Sequence, residues 1–356
     1  MTAPVEVRLA QSGPPTGGTA RGVVRARTPL RISFAGGGTD VSPFPETEGG
    51  AVLSATIDRY VHGSLVTHAH SHVNIESRDY GITVQLGAGG AIEPDGNLDL
   101  VKAAVRRVWR EEEQGYRIIL SAGAPPGSGL GSSSAMVVTV VALLNEYYGV
   151  AMGDYDVARL ASVIEREDMH IAGGLQDYYA ATFGGFNYIE FSEQVIVNPL
   201  RVREDVISEL EMNLVLCFTG ATRRSDSIIS DQTERYTRSE AGALEGLRQQ
   251  KDLATAMKAA LLQGRLDDFG WLLGQAWEAK KKMSPKITTP LIDEMYDLAV
   301  RCGATGGKVT GAGGGGYMLL YVDFEHRHKV VEAMEGLGVA ATGFSFAPQG
   351  ARAWKR

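Results

Sequence analysis

The sequence of 356 residues has few cysteines, no excess of positive charge and no long apolar run. Cys217 and Cys302 are its two cysteines, and their lack of CxxC spacing argues against a disulfide framework and a zinc knuckle. The formal net charge of -7 provides no broad basic field. A nucleic acid, which is held by neutralising many phosphates, is therefore not an expected partner.

Membrane and export signals are also missing. No apolar run reaches the length of about 18 residues that a membrane-spanning helix requires, and the N-terminus lacks a charged stretch followed by an apolar one. We therefore expect a cytoplasmic protein that works without a membrane. A homodimer and a monomer both stay open.

The composition that remains, 44% hydrophobic and 22% charged, is typical of a soluble globular enzyme. Residues 1–22 are rich in Pro, Gly, Thr and Ala and are expected to form a flexible tail. Strand-like and helix-like segments then alternate without a regular βαβ repeat, which favours an α+β fold with antiparallel sheets. A weakly marked boundary near residue 205 predicts two domains, 23–205 and 206–356.

Periodicity predicts several individual elements. Residues 23–35 form an alternating strand, residues 98–113 an amphipathic helix, and residues 135–149 a helix that is apolar on nearly all sides and so buried. A further helix is expected to be capped by Asp154, and GFSFAP at 343–348 is a candidate strand.

Glycine is concentrated in three stretches, AGGGTD at 35–40, PPGSGLGSSSA at 125–135 and TGAGGGGY at 310–317. The middle stretch leads directly into the apolar helix, whose first amides are unpaired and whose dipole is positive at that end. Such a junction favours phosphate binding. The alternative is a structural loop in which the serines at 132–134 cap the helix.

Three other patterns give weaker or no support for a binding site. The GxxxxGK[ST] phosphate loop is absent, because Lys308 lacks the required spacing. Gly311, Gly313 and Gly316 match GxGxxG, but a strand follows where a dinucleotide site needs a helix. The histidines of HAHSH at 68–72 could share one face of a strand as a metal trio, although a solvent-facing polar strand is the simpler interpretation.

PPGSGLGSSSA resembles the phosphate loop of the GHMP kinases, and the other two glycine stretches follow the order of that family over about residues 23–356. Within the family, RISFAGGGTD, GGLQDYYAATFGGFN, TGATRRSDSI and GGKVTGAGGGG are most similar to heptose phosphate kinases, with fucokinases next. The resemblance implies an α+β two-domain fold, with an N-terminal domain like domain 2 of ribosomal protein S5 and a ferredoxin-like C-terminal domain.

The resemblance also implies an activity. It is ATP- and Mg²⁺-dependent phosphorylation of the anomeric O1 of D-glycero-D-manno-heptose 7-phosphate, or a closely related heptose phosphate, for the synthesis of nucleotide-activated heptose. The alternatives are an anomeric kinase of an unphosphorylated sugar such as fucose or galactose, and a non-kinase binding protein of the same fold.

Site residues follow from the aligned motifs. Asp177 would accept the proton of the sugar hydroxyl, and Arg31 would keep it ionised and stabilise phosphate charge. Ser133 and Glu165 would hold Mg²⁺. The ATP phosphates would lie against Pro126, Gly127, Ser128, Gly129, Leu130, Gly131, Ser132, Ser133 and Ser134.

The resemblance assigns a further set of residues to the acceptor. Asp40 would hydrogen-bond sugar hydroxyls, and Arg223 and Arg224 would bind the substrate phosphate, with the lysine run 280–282 behind them. A basic run on a helix is, in the alternative, a solvated face. The other expected contacts are Gly37, Gly38, Thr39, Gly174, Gly313 and Gly314. The chain departs from the heptose kinase pattern at Leu175, where that pattern has lysine, and at Tyr178, where it has glutamine. The loss of a cation at 175 is consistent with a different sugar, a different pose of the substrate phosphate or a specialised pathway.

Overall fold

The computed structural model describes residues 22–70, 72–86, 94–108, 115–221 and 225–356. Its first half, in chain order, consists of β1 (Val23–Ala35), α1 (Phe44–Glu48), β2 (Gly50–Thr67), β3 (Val73–Ser77), β4 (Ile82–Leu86), α2 (Asp99–Val108), β5 (Tyr116–Ala122), α3 (Ser132–Tyr148), α4 (Asp154–Val163), α5 (Gln176–Phe183), β6 (Phe186–Phe191) and β7 (Val195–Pro199). A π-helical turn, Ile164–Asp168, extends α4. Asp154 is the first residue of α4 and Gly153 its N-cap, so the predicted cap was one residue off.

The second half is mostly helical up to residue 301 and then returns to strands. It consists of α6 (Glu204–Asn213), β8 (Leu214–Phe218), α7 (Asp226–Thr237), α8 (Ala241–Gln263), α9 (Leu266–Lys281), α10 (Pro290–Arg301), β9 (Ala304–Val309), β10 (Tyr317–Val322), α11 (Phe324–Gly336), β11 (Ala340–Thr342) and β12 (Arg352–Lys355). The strand predicted at 343–348 was wrong, since that segment makes only an isolated bridge between Phe346 and Ile57.

The strands form two sheets. The first has the order β12-β1-β2-β5-β3-β4, with β6 beside β2 and β7 beside β6. The second has the order β11-β8-β10-β9. Every pairing between these strands is antiparallel except that of β3 with β5. The predicted α+β fold with antiparallel sheets is thus confirmed.

Helix α3 lies in the middle of the first half and packs against β1, β2, α2, α4 and α5. Most of its large apolar side chains are fully buried, as predicted, and burial of each contributes about 1.5–3 kcal/mol. These side chains are Val137, Val138, Val140, Val141, Leu143 and Leu144. Among the residues that the structure describes, no helix is both long and apolar enough to cross a membrane.

The end of the chain returns to the first sheet. Strand β12 pairs antiparallel with β1, in the register of Val24 with Lys355 and Arg27 with Arg352. The last strand therefore lies on the sheet of the N-terminal half, although the predicted division assigned all of 206–356 to the second domain. The boundary near 205 itself stays a prediction.

Candidate active site

The loop before α3 alternates between cleft and core. Gly127, Gly129 and Gly131 have φ of 71°, 80° and 74° and line a cleft between the two halves of the chain. Ser128 and Leu130, between these glycines, are fully buried. The loop thus presents glycine backbone to the cleft. Of the nine residues predicted to contact ATP, Pro126, Ser128 and Leu130 are not among those lining it.

The glycines of this loop are required by close neighbours as well as by φ. A Cβ on Gly129 would lie 2.6 Å from the carbonyl oxygen of Thr310, and one on Gly131 would lie 3.3 Å from Oδ2 of Asp177. Tyr317 N–H donates to the Ser128 carbonyl oxygen at 2.9 Å. The third glycine stretch therefore supports the loop from behind and fixes its shape.

The first turn of α3 is left open to a ligand. Gly131 is the N-cap and no side-chain hydrogen bond caps the helix. The first helical hydrogen bond runs from Ala135 N–H to the Gly131 carbonyl oxygen at 2.9 Å, so the amides of residues 132–134 have no acceptor within the helix. The alternative in which the serines cap the helix was wrong. Free amides at a positive helix end suit a phosphate.

Asp177 and Arg31 meet at this loop. Asp177 is the second residue of α5, and Arg31 comes from the middle of β1. Arg31 Nε and Nη2 contact Oδ1 of Asp177 at 2.7 and 2.6 Å, while Nη1 donates to the Gly129 carbonyl oxygen at 2.5 Å. Both Arg31 contacts use Oδ1, so Oδ2 is left uncontacted by Arg31 and lies beside Gly131, which lines the cleft with Asp177.

The protonation of Asp177 reflects two opposing effects. Its side chain is 22% exposed, toward the cleft, and Arg31 is 4% exposed. Desolvation raises the pKa of Asp177, and the adjacent Arg31 guanidinium opposes that rise. A carboxylate of raised pKa beside a permanent cation can accept a proton from an alcohol.

Asp40 anchors the segment that carries Asp177. Oδ1 of the buried Asp40 accepts from Gly38 N–H at 3.0 Å and from Gln176 Nε2 at 3.1 Å. Oδ2 accepts from Gln176 N–H at 3.0 Å. A Cβ on Gly174 would lie 1.9 Å from Oδ2, which explains the glycine there. These hydrogen bonds hold the start of α5; the role of Asp40 in sugar binding stays a prediction.

Glu165 lies on the π-helical turn, a distortion that is frequent at functional sites. The residue is 9% exposed. Tyr178 Oη donates to Oε2 at 2.7 Å, and Ser134 Oγ donates to the same oxygen at 3.0 Å. Burial raises the pKa of Glu165, and the two hydrogen bonds oppose the rise. Tyr178, the departure seen in the sequence, therefore orients this acid.

The donor set beside α3 fits Mg²⁺ on a nucleotide. Glu165 and Ser133 both line the cleft, and Ser133 is exposed to it, whereas Ser134 is the serine bonded to Glu165. Within the described ranges there is no group of three or more His, Cys, Asp or Glu suited to a metal. Mg²⁺ in nucleotide sites is held by one or two protein oxygens plus phosphates and water, so this sparse set is adequate.

The histidines at 68–72 do not form the metal trio considered from the sequence. Strand β2 ends at Thr67, so His68, His70 and His72 lie beyond it and not along one strand face. Their ring centroids are 4.8–5.7 Å apart. They are not a metal group by the criterion above, and they lie outside the residues that line the cleft.

The predicted acceptor glycines divide into two groups. Gly37, Gly38, Gly174 and Gly313 line the cleft. Gly314 is not among the lining residues, and its N–H donates to the Ile287 carbonyl oxygen at 2.6 Å.

Three other predicted acceptor residues have different outcomes. Thr39 is fully buried, and its hydroxyl donates to the carbonyl oxygens of Gly36 and Ala51 at 2.8 and 3.1 Å. It shapes the loop without facing the cleft. Arg223 and Arg224 lie outside the described residues, so their role stays a prediction.

Lys280 belongs to the lysine run for which the sequence left phosphate binding and a solvated face as alternatives. It lines the cleft and is 2% exposed. A signal was present, because Leu273, Ala276 and Trp277 precede it at helical spacing on the buried face of α9. Gln176, Gln232 and Thr310 also line the cleft and were not predicted.

Two family models and several known kinases are similar to this chain. The chain matches the family models "GHMP kinases N terminal domain" at residues 99–185 and "GHMP kinases C terminal" at 257–340. It is 35% identical, over 93% of its length and 99% of the relative's, to the D-glycero-alpha-D-manno-heptose 7-phosphate kinase of Campylobacter jejuni. It is 27% identical, over 83% of its length and 29% of the relative's, to the bifunctional fucokinase/GDP-fucose pyrophosphorylase of Arabidopsis thaliana.

Solved structures agree with these matches. A D-glycero-D-manno-heptose 1-phosphate kinase from Bacteroides thetaiotaomicron superposes with a TM-score of 0.79 at 35% identity, covering 94% of this chain and 99% of that one. Galactokinase of Lactococcus lactis, at 19% identity and a TM-score of 0.74 over 93% and 95% of the two chains, shares the fold.

Proposed function

This chain belongs to the GHMP kinases, and on that premise we propose that it transfers the γ-phosphoryl group of ATP to O1 of D-glycero-D-manno-heptose 7-phosphate. The products would be the 1,7-bisphosphate and ADP. Full-length identity of 35% to a heptose 7-phosphate kinase supports this acceptor. The observation that carries the reaction type is the Asp177–Arg31 pair, which faces the open first turn of α3.

The proposed step is a direct in-line transfer. A lone pair of the anomeric O1 attacks the γ-phosphorus, and the bond from that phosphorus to the β–γ bridging oxygen breaks, releasing ADP. The O1 proton passes to Oδ2 of Asp177, the oxygen that Arg31 leaves uncontacted. Arg31 holds Asp177 in place and, through Nη1, ties it to the phosphate loop at Gly129.

The proposal includes Mg²⁺, because the oxygen ligands in the cleft suit this ion. Glu165 and Ser133 would hold the ion, and Tyr178 would orient Glu165. When bound, the ion neutralises charge on the transferring phosphate. Amides of the loop and of the first turn of α3 would bind the triphosphate.

The position of the acceptor's phosphate needs a direct test, because the names of the two relatives at 35% identity differ. One is a heptose 7-phosphate kinase and the other a heptose 1-phosphate kinase. ATP consumption should be measured with the heptose 7-phosphate, the heptose 1-phosphate, the unphosphorylated heptose, fucose and galactose. Phosphorus NMR of the product then identifies the new phosphate.

We expect the 7-phosphate to give the highest kcat/KM, since a bound phosphate contributes charge-assisted hydrogen bonds. Equal turnover of the unphosphorylated sugar would replace the assignment by an anomeric kinase of the fucokinase type. Binding of a sugar without turnover of any member of the panel would favour the non-catalytic alternative.

Arg223 and Arg224 are the proposed ligands of the acceptor's phosphate. If they bind it, R223Q and R224Q raise KM for the phosphorylated heptose and leave KM for the unphosphorylated sugar unchanged. R201Q is a control, because Arg201 is exposed in the described structure and is not a lining residue of the cleft. An equal rise in both KM values would remove these arginines from the phosphate site.

A further inference from the structure

Three consecutive lysines at the end of α9 have different environments. Lys281 pairs with Glu278 at 2.8 Å and Lys282 with Glu245 at 2.7 Å, and both side chains are at least 30% exposed. They are not among the residues that line the cleft, so the alternative of a solvated face applies to these two lysines. Lys280 is 2% exposed. Within the described ranges, no carboxylate oxygen lies within ion-pair distance of its ammonium. Burial of an unpaired ammonium is costly, so this residue calls for an explanation.

The Lys280 ammonium lies between two of the glycine stretches. Its Nζ donates to the Gly311 carbonyl oxygen, in the stretch that supports the phosphate loop. It also lies 3.9 Å from where a Cβ of Gly37 would be, in the stretch on the acceptor side. An ammonium has three donors, and the described contact to Gly311 uses one of them.

The charged groups around Lys280 come from β1, the loop after it, α5 and β9. Arg31 of β1 and Lys308 of β9 are the cations, and Asp40 and Asp177 are the anions. Arg31 is engaged with Asp177 and the phosphate loop, and Lys308 donates to the Ser33 carbonyl oxygen at 2.9 Å in the core. Among the described residues that line the cleft, Lys280 is therefore the cation whose donors are not all used. Burial and, next, the charge of Arg31 lower its pKa to about 8.

We propose that Lys280 is a catalytic residue, whose ammonium contacts the phosphoryl group as it passes from ATP to the acceptor. The inference rests on the proposed phosphoryl transfer. An anion delivered to the cleft would supply the negative partner that the buried ammonium lacks. Donors held in a dry site stabilise charge that develops in the transition state without reorganisation.

Substitution of Lys280 tests this role against two matched neighbours. K280M should lower kcat by about 10²–10³-fold, the typical effect of losing one preorganised transition-state donor, with smaller changes in KM for ATP and acceptor. K281M and K282M should keep kcat within about twofold, because exposed ion pairs contribute little. Melting temperature is measured for all three variants.

The pH profile distinguishes chemistry from packing. The protonated form is the active one, so kcat of the wild type should fall as the pH rises through about 8, where Lys280 loses its proton. K280M should lack this alkaline limb. Ethylamine, supplied to K280A, should restore part of kcat and leave K281A unchanged. If Lys280 only supports packing, K280M keeps the alkaline limb, and ethylamine does not raise kcat of K280A.

Two results would overturn the proposed role of Lys280. A K280M enzyme with kcat within threefold of wild type, or with the alkaline limb intact, overturns the proposal. If K280M does not fold, K280A with ethylamine decides in its place, and the absence of rescue overturns it.

The affinity for orthovanadate in the presence of ADP can be measured by calorimetry without the sugar acceptor. K280M should weaken this affinity about tenfold, because one charge-assisted contact is lost. Equal binding by wild type and variant overturns the role of Lys280. A sugar panel without turnover overturns only the proposed function.

Discussion

The phosphate-donor side of the cleft, residues 127–134, is made of backbone, whereas the acceptor side is made of side chains from distant elements. On the donor side, alternate glycines with positive φ lead into the open first turn of α3. On the acceptor side, Asp40, Asp177 and Lys280 come from a loop after β1, from α5 and from α9.

This difference determines how each side responds to change. Backbone amides require no particular side chain, so substitutions outside the glycines of the loop and of the 310–317 stretch that supports it leave them in place. Side chains on the acceptor side depend on partners more than 100 residues away, as Asp40 depends on Gln176 and Arg31 on Asp177. The acceptor side should therefore be altered by single substitutions more readily than the donor side.

The largest effect is expected at the base. D177N keeps the shape of the side chain but removes the proton acceptor, so kcat should fall by about 10³-fold, within the usual range for a general base. ATP binding, measured by calorimetry, should stay within a few-fold because the donor side is untouched. E167Q, an exposed acid near Glu165, is the control. Undiminished transfer by D177N would show that the base is misassigned.

Replacement of Arg31 should come next in size. R31Q removes the cation that opposes the raised pKa of Asp177, so this pKa rises further. The deprotonated carboxylate is the active form. As the pH is lowered, kcat/KM of R31Q should therefore begin to fall at a higher pH than kcat/KM of wild type. We expect a loss of about 10²-fold at neutral pH, within the range for charge stabilisation.

R27Q is the matched control for R31Q, because Arg27 lies on the same strand with its side chain exposed. Its pH profile should match the wild type. If kcat/KM of R31Q falls at the same low pH as that of wild type, Arg31 does not affect the ionisation of Asp177.

The donor side is tested through its glycines. G129A places a Cβ 2.6 Å from the Thr310 carbonyl oxygen at φ of +80°. We expect KM for ATP to rise by about tenfold, equivalent to about 1.4 kcal/mol of binding, with KM for the acceptor nearly unchanged. G149A has a similar φ of +65° but no atom within 4 Å of the added Cβ. It should lower the melting temperature and leave KM for ATP unchanged.

The smallest effect is expected at Tyr178. Y178F removes the hydrogen bond to Glu165, which contributes about 1 kcal/mol, so the Mg²⁺ concentration for half-maximal activity should rise by about fivefold. Y179F, whose ring packs against Tyr155, should not change it. An identical Mg²⁺ dependence for Y178F and wild type would show that Tyr178 does not contribute to Mg²⁺ binding.

The same comparison explains how much the sequence could predict. The glycine–serine loop, the buried helix after it and the α+β class were predicted because each depends on neighbouring residues or on periodicity. The sequence did not predict that Ser128 and Leu130 face the core, since loop direction depends on the third glycine stretch behind it. It gave little weight to Lys280, because a lysine run is usually solvated, and only packing of α9 turns one of the three inward.

A complex with a non-hydrolysable ATP analogue, Mg²⁺ and heptose 7-phosphate tests the central claim most directly. The predicted crystal structure has the triphosphate on the amides between Gly127 and Ser134, and O1 of the sugar within hydrogen-bond distance of Oδ2 of Asp177. A triphosphate bound elsewhere, or a sugar whose O1 lies away from Asp177, would contradict the account.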